Sequence, residues 1–191
     1  MQLRKIANIQ SGYISRGKIE PREDGTYFLL QARDVDADRL TYQADNLIHF
    51  IPVLSRKDWT LRTGDVLFMA RGTRNYSVLI NEIPERALAA ACFFIVRVSS
   101  DQVLPYYLRW YLNQAPVDHY LSRHSGRGVH MPVVRRSVLE SIEIPIPPLS
   151  IQNKIANIDF LMRKELELID KLAEKRKKII TAACLKAAHK S

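Results

Sequence analysis

Absences narrow the field first. The chain of 191 residues has only two cysteines, Cys92 and Cys184, so a disulfide-stapled miniprotein is excluded. Neither stands at metal-ligand spacing from another Cys or a His. His49, His119, His124, His130 and His189 form no HxxxH or HExxH pattern, so no metal site is expected. No apolar run approaches the roughly 18 residues that cross a bilayer. Met1-Gln-Leu-Arg-Lys5 is followed by no apolar stretch, so a secretory leader is not expected. These absences point to a soluble, cytoplasmic protein.

Catalytic signatures are equally scarce. There is no GxxxxGK[ST] phosphate loop and no GxSxG elbow. Gly126-Arg-Gly128 stands alone, without the strand and helix of a dinucleotide fold. The Asn-Pro-Pro-aromatic tetrapeptide of amino-methyltransferases is missing, as is an Asp followed by a nuclease-like Glu-x-Lys. Asp34, Asp36 and Asp38 alternate, but without the Gly and closing Glu of a calcium loop. They read as turn-forming residues in a solvated loop. An enzyme is therefore not expected, and neither is a cofactor of the chain's own.

What is present is positive charge. Lys plus Arg outnumber Asp plus Glu by 29 to 20, a formal net charge of +9, which favours a polyanionic partner. Apolar residues at 47% and charged residues at 26% are globular usage. The length fits one domain with an appended element.

The division falls at Ile144-Pro-Ile-Pro-Pro-Leu-Ser150. Three prolines remove amide donors and hold their predecessors extended, so no helix runs through them. The reading is a domain over 1–143, a stiff connector over 144–150 and a long helix over 151–191, with Ser150 as N-cap. Ile151, Ile155, Ile158, Met162, Leu166, Ile169 and Leu172 recur three or four apart, an apolar stripe down one face. A stripe on so long a rod requires a partner helix, which makes these seven residues candidate dimerisation contacts. The Lys175–Lys178 run adds basic charge, as such runs on solvated helix faces commonly do.

Residues 1–150 predict a β-rich mixed domain. Strands are expected at Tyr27–Leu30, Asp65–Ala70, Tyr76–Ile80, Ala89–Val98 and Ile142–Ile146. Helices are expected over Leu104–Asn113 and, after Pro116, around Val117, Tyr120 and Leu121. The fold class is α+β: a mixed globular domain followed by one long coiled-coil helix.

Three Gly-containing segments carry cations: Ser11–Lys18, with Arg16 and Lys18; Arg71–Tyr76, with Arg74 and Asn75; and Arg123–His130, with His124 and Arg127. Glycine lets backbone approach a ligand closely. Arginine binds phosphate or guanine bidentately, and asparagine matches adenine. Arg16, Lys18, Arg71, Arg74, Asn75, Tyr76, Arg123, His124, Arg127 and His130 are the candidate nucleic-acid contacts. Base readout and phosphate contact are not separable among them from the sequence.

Leu139-Glu-Ser-Ile-Glu-Ile-Pro-Ile-Pro-Pro-Leu-Ser-Ile-Gln152-Asn-Lys-Ile155-Ala resembles the junction between recognition domain and helix in specificity subunits of type I restriction–modification systems. Thr63-Gly-Asp-Val-Leu-Phe-Met-Ala-Arg71-Gly-Thr73 is similar to the family's Gly-Asp strand and following turn, and Leu104-Pro-Tyr-Tyr-Leu108 to a later helix. The family's usual subunit has two recognition domains and two helices, so one of each resembles a half-subunit. The resemblance implies a non-catalytic DNA-recognition role, with double-stranded DNA and adenine-N6 methyltransferase subunits as partners and a restriction subunit as a further one. S-adenosylmethionine is expected on the methyltransferase. A half-subunit would homodimerise through the helix and read a split palindrome, or pair with a different half and read an asymmetric site. A structural adaptor, whose basic helix binds an acidic protein, is the alternative.

Overall fold

A computed structural model describes residues 1–15, 17–45, 47–53, 59–124 and 133–188. The strands are β1 (Ala7–Ser11), β2 (Tyr27–Leu30), β3 (Val35–Asp36), β4 (Thr41–Tyr42), β5 (Ile48–Phe50), β6 (Val66–Met69), β7 (Ser77–Leu79), β8 (Ala87–Ala89) and β9 (Phe93–Val98). The helices are α1 (Pro105–Leu112), α2 (Ala115–His124), α3 (Arg136–Glu140) and α4 (Leu149–Ala188). The fold is α+β. The chain forms two compact units, Met1–Asn153 and Lys154–Ser191.

The first unit is layered. One sheet has the order β1-β9-β6-β7 and a second the order β5-β2-β8, with β3 and β4 as a separate ribbon. Side chains alternate across a strand, and β2 uses both faces. Leu30 joins Leu67, Val78, Phe93 and Ile95 in the main core, whereas Leu29 joins Tyr13, Phe50 and Leu88 in a smaller cluster. β6 is buried at all four positions, which is why Val-Leu-Phe-Met reads as a continuous apolar run. α1 packs on β6 and β7. Pro105 starts α1 at no hydrogen-bonding cost. Asn113 ties the helix end to β7, accepting from the Ser77 amide at 2.8 Å and donating to the Ser77 and Arg109 carbonyls.

Three expectations shift. Ala89–Val98 is not one strand: a turn over Ala90–Phe93, closed by the Phe93 amide donating to the Ala90 carbonyl at 3.0 Å, carries the chain from the second sheet to the first. Ile142–Ile146 makes only an isolated Gln2–Glu143 bridge, because Pro145, Pro147 and Pro148 have no amide with which to extend a ladder. Ser150 does not cap α4. The Pro148 carbonyl accepts the first helical bonds, from Ile151 at 2.9 Å and Gln152 at 3.1 Å, which places Ser150 inside the first turn.

Gln152 holds that first turn. It is fully buried; its Oε1 accepts from the Leu104 amide at 2.9 Å, and its Nε2 donates to the carbonyls of Gln102 (2.7 Å) and Pro147 (2.8 Å). Directly before β6, beside the last residues of β9, Asp65 is buried and forms a two-pronged ion pair with Arg97, both contacts 2.7 Å. Among the described residues no helix is long and apolar enough to cross a membrane.

Candidate nucleic-acid interface

β9 runs antiparallel to both β1 and β6, and β7 runs antiparallel to β6. The last residues of β1 and β6 therefore meet the first residues of β9 and β7 at one end of the sheet. Ser11 pairs with Phe94, Met69 with Phe93, and Phe68 with Ser77. The first cationic segment leaves from this end after Ser11, and the second spans it between Met69 and Ser77. The chain after the third segment returns there too: Val133 bridges Arg71, and the Val134 amide donates to the Ala70 carbonyl at 2.9 Å. Topology thus brings the roots of three sequence-separated segments together.

The Ala90–Phe93 turn is the common anchor. The Gly12 amide donates to the Phe93 carbonyl, and the amides of Ala70 and Arg71 both donate to the Cys92 carbonyl. A side chain at position 12 would stand 2.2 Å from the Ala90 carbonyl oxygen, so only glycine fits this crossing. Burial raises the Cys92 thiol above its ordinary pKa, consistent with a packing role for that side chain.

The candidate contacts separate by environment. Lys18 is exposed and, with Tyr13, Ser15, Arg22 and Phe50, lines a cleft of about 280 Å³. Arg71 is exposed. Arg74 is exposed too, and its Nη1 lies 2.9 Å from Asp38 Oδ1. Asn75 is occupied locally: its Nδ2 donates to the Met69 carbonyl at 2.8 Å and closes the turn. Tyr76 is 6% exposed and belongs to the main core, where burial pushes its phenol up to about 12. Asn75 thus shapes the turn and Tyr76 the core beneath it. Arg123 and His124 are exposed on the last turn of α2, where the His124 Nδ1 donates to the Tyr120 carbonyl at 2.7 Å. Arg16, Arg127 and His130 lie outside the described residues.

Arg135 went unnoticed in the sequence. It is exposed, two residues beyond Val133, at the N-cap of α3. The Arg135-Arg136 pair directly after the third segment was the available signal. Two of the three aspartates serve local structure, Asp34 accepting from the Gln31 amide and Asp36 from the amides of Asp38 and Arg39, whereas Asp38 pairs with the distant Arg74. Among the described residues no cluster of His, Cys, Asp and Glu could hold a metal ion.

The second unit is the bulk of α4. Within it Ile158, Met162, Leu166, Ile169 and Leu172 are between 51% and 67% exposed. Ile155 is half-buried, and Ile151, in the first turn, is exposed. A second exposed row, Leu161, Leu168 and Ile179, repeats through Leu172 and widens the apolar arc. A single-stripe reading of the sequence misses it.

Comparison with known proteins gives a consistent result. The sequence profile of the type I restriction modification DNA specificity domain matches residues 1–177, and the chain belongs to that family. A protein named as the specificity subunit of the type I restriction enzyme MjaX, from Methanocaldococcus jannaschii, is 28% identical over 123 residues, 59% of this chain and 29% of that protein. Among solved structures, the type I S subunit from M. genitalium covers 93% of this chain and 42% of its own, at 14% identity and a TM-score of 0.56. The HsdS subunit from Thermoanaerobacter tengcongensis covers 89% and 38%, at 17% identity and a TM-score of 0.59. A chain from a structural study of type I system assembly and conformational transition covers 88% and 38%, at 18% identity and a TM-score of 0.63. These similarities establish the fold. The chain spans less than half the length of each of these relatives.

Proposed function

We propose that this chain reads one half of a bipartite DNA site and presents it to adenine-N6 methyltransferase subunits, working as a homodimer paired through α4. The observation that carries the reading is that chain leading from the first cationic segment, through the second and after the third meets at one end of the β1-β9-β6-β7 sheet, in a chain of the DNA specificity family. Exposed arginine and lysine side chains there suit phosphates and base edges. The chain does no chemistry on DNA. S-adenosylmethionine and the base-flipping pocket belong to the methyltransferase, and the chain's task is to hold the duplex in register. A restriction subunit would join the same assembly. The exposed apolar arc of α4 supports pairing with a second copy, and a two-fold pair would read a split palindrome.

The test joins two measurements on the assembled complex. Duplex affinity should fall roughly 10³- to 10⁵-fold between 50 and 200 mM salt, as 6–10 phosphate contacts demand. Replacing Ile158, Met162 and Ile169 by Asp should convert free dimers to monomers by light scattering. A flat salt dependence would favour the adaptor reading, and a dimer that survives the triple variant would remove α4 as the seam.

A further inference from the structure

Arg71 and Arg74 look equivalent in sequence: one residue type, three positions apart, in one turn. Their surroundings divide them. Arg71 is stitched to the fold on both sides. Its amide donates to the Cys92 carbonyl at 3.2 Å, and its other flank is bridged to Val133. Its neighbour Ala70 is held more tightly, by its amide to Cys92 at 2.8 Å and by its carbonyl from Val134 at 2.9 Å. Ala70 and Val134 are each 2% exposed, so the backbone beneath Arg71 is core. Yet the Arg71 side chain is exposed, and among the described residues its guanidinium has no hydrogen-bond or ion-pair partner. The half-exposed Val133 stands directly across the bridge from Arg71.

Arg74 is the opposite case. It sits in the irregular part of the turn, and its guanidinium is held by an Asp38 carboxylate that is 92% exposed. A solvated pair of this kind exchanges readily with water and ions. The two demands of DNA recognition map onto this contrast. Reading a base edge requires a rigidly mounted, uncommitted fork placed within about half an ångström. Contacting a phosphate requires only charge within reach, and it tolerates a mobile stem.

We infer that Arg71 is the base-reading arginine of this face, donating two hydrogen bonds to O6 and N7 of a guanine in the major groove, whereas Arg74 contacts the phosphate backbone after leaving Asp38. The assignment rests on the DNA-specificity reading above and deepens it to single residues.

The test uses the complex of this chain with its methyltransferase subunit. Its site is first mapped by methylation, and binding is then measured to that site and to every single-base-pair change within one half. Arg71→Ala should lose discrimination at one G·C pair by roughly 5- to 150-fold, the worth of one bidentate arginine–guanine contact. Arg71→Lys keeps the charge and the backbone but lacks the planar fork, and should show a smaller loss at the same pair. Arg74→Ala should weaken all sequences alike and lower the salt slope by about 1. A uniform loss in Arg71→Ala with a reduced salt slope would overturn the assignment, as would full discrimination in Arg71→Lys. Wild-type complex that binds every sequence equally would overturn the specificity reading and this assignment with it. Unchanged melting of the Arg71→Lys protein separates these results from misfolding.

Discussion

Gln152 offers the sharpest check on what holds the first turn of α4, within Met1–Asn153, in place. The side chain is fully buried and makes three hydrogen bonds, of 2.7, 2.8 and 2.9 Å, all to backbone groups. Gln152→Ala removes them together and leaves the Leu104 amide and the Gln102 and Pro147 carbonyls without that partner. At about 1 kcal/mol net per hydrogen bond the loss is about 3 kcal/mol, more if water cannot enter the space. For a chain of this size that lowers the melting temperature by roughly 6–12 °C. Gln152→Glu is more informative. One carboxylate oxygen still accepts from Leu104, but the other faces two carbonyl oxygens and nothing donates to them. Folding should then raise the carboxyl's pKa above the ordinary glutamate value of about 4.3. With the folded value raised, the stability it contributes is present at low pH and lost as pH rises through that value. The Glu variant should match or exceed the Ala defect at neutral pH and recover on acidification. Circular-dichroism melting of the full chain across pH measures both. A Gln152→Ala protein within about 1 kcal/mol of wild type, or a pH-independent Glu defect, would refute the reasoning.

Three further outcomes follow from single contacts. Asp65→Ala leaves Arg97, whose side chain is 25% exposed, facing an empty carboxylate site, and should cost about 3 kcal/mol, the lower end for a broken buried pair; urea titration reads it. Gly12→Ala places a methyl 2.2 Å from one backbone carbonyl oxygen and 2.6 Å from another, so the crossing must open; a loss of about 1–3 kcal/mol is expected, with DNA binding reduced even where the protein stays folded. On α4, hydrogen bonds from Lys171 and then Lys164 hold the Glu167 carboxyl down to about 2. A lowered folded value means that the pair's contribution is present above about pH 4.3 and lost as pH falls through about 2, so a carboxyl titration followed by NMR should show a midpoint well below that of ordinary glutamates; a midpoint near 4 would remove these lysines as its cause.

Local patterns in the sequence carry much of the fold. The Tyr27–Leu30 run is β2 from end to end, and the periodicity after Leu104 becomes α1. Where the sequence misleads, a long-range contact decides. Ala-Ala-Ala-Cys92 contains no turn residue, so nothing local marks the Ala90–Phe93 turn where the chain changes sheets. Ile142–Ile146 has strand composition, but Pro145 within it and Pro147 and Pro148 directly after it withhold the amides a ladder needs. The cationic segments were visible as composition, whereas their convergence was not, because it depends on β9 lying between β1 and β6. Asn75 and Tyr76 suited a DNA-contact pattern, yet one bonds the turn and the other fills the core. Gln152 stood in the junction motif without a stated reason, and three hydrogen bonds now supply one.

Adenine-methylation mapping tests the central claim most directly. Cells expressing this chain with the proposed partner, a type I methyltransferase subunit, are compared with cells expressing the methyltransferase alone. The account predicts methylation at a split, palindromic site that appears only when both proteins are present. Identical methylation patterns in the two cultures, with both proteins folded and associated, would contradict it.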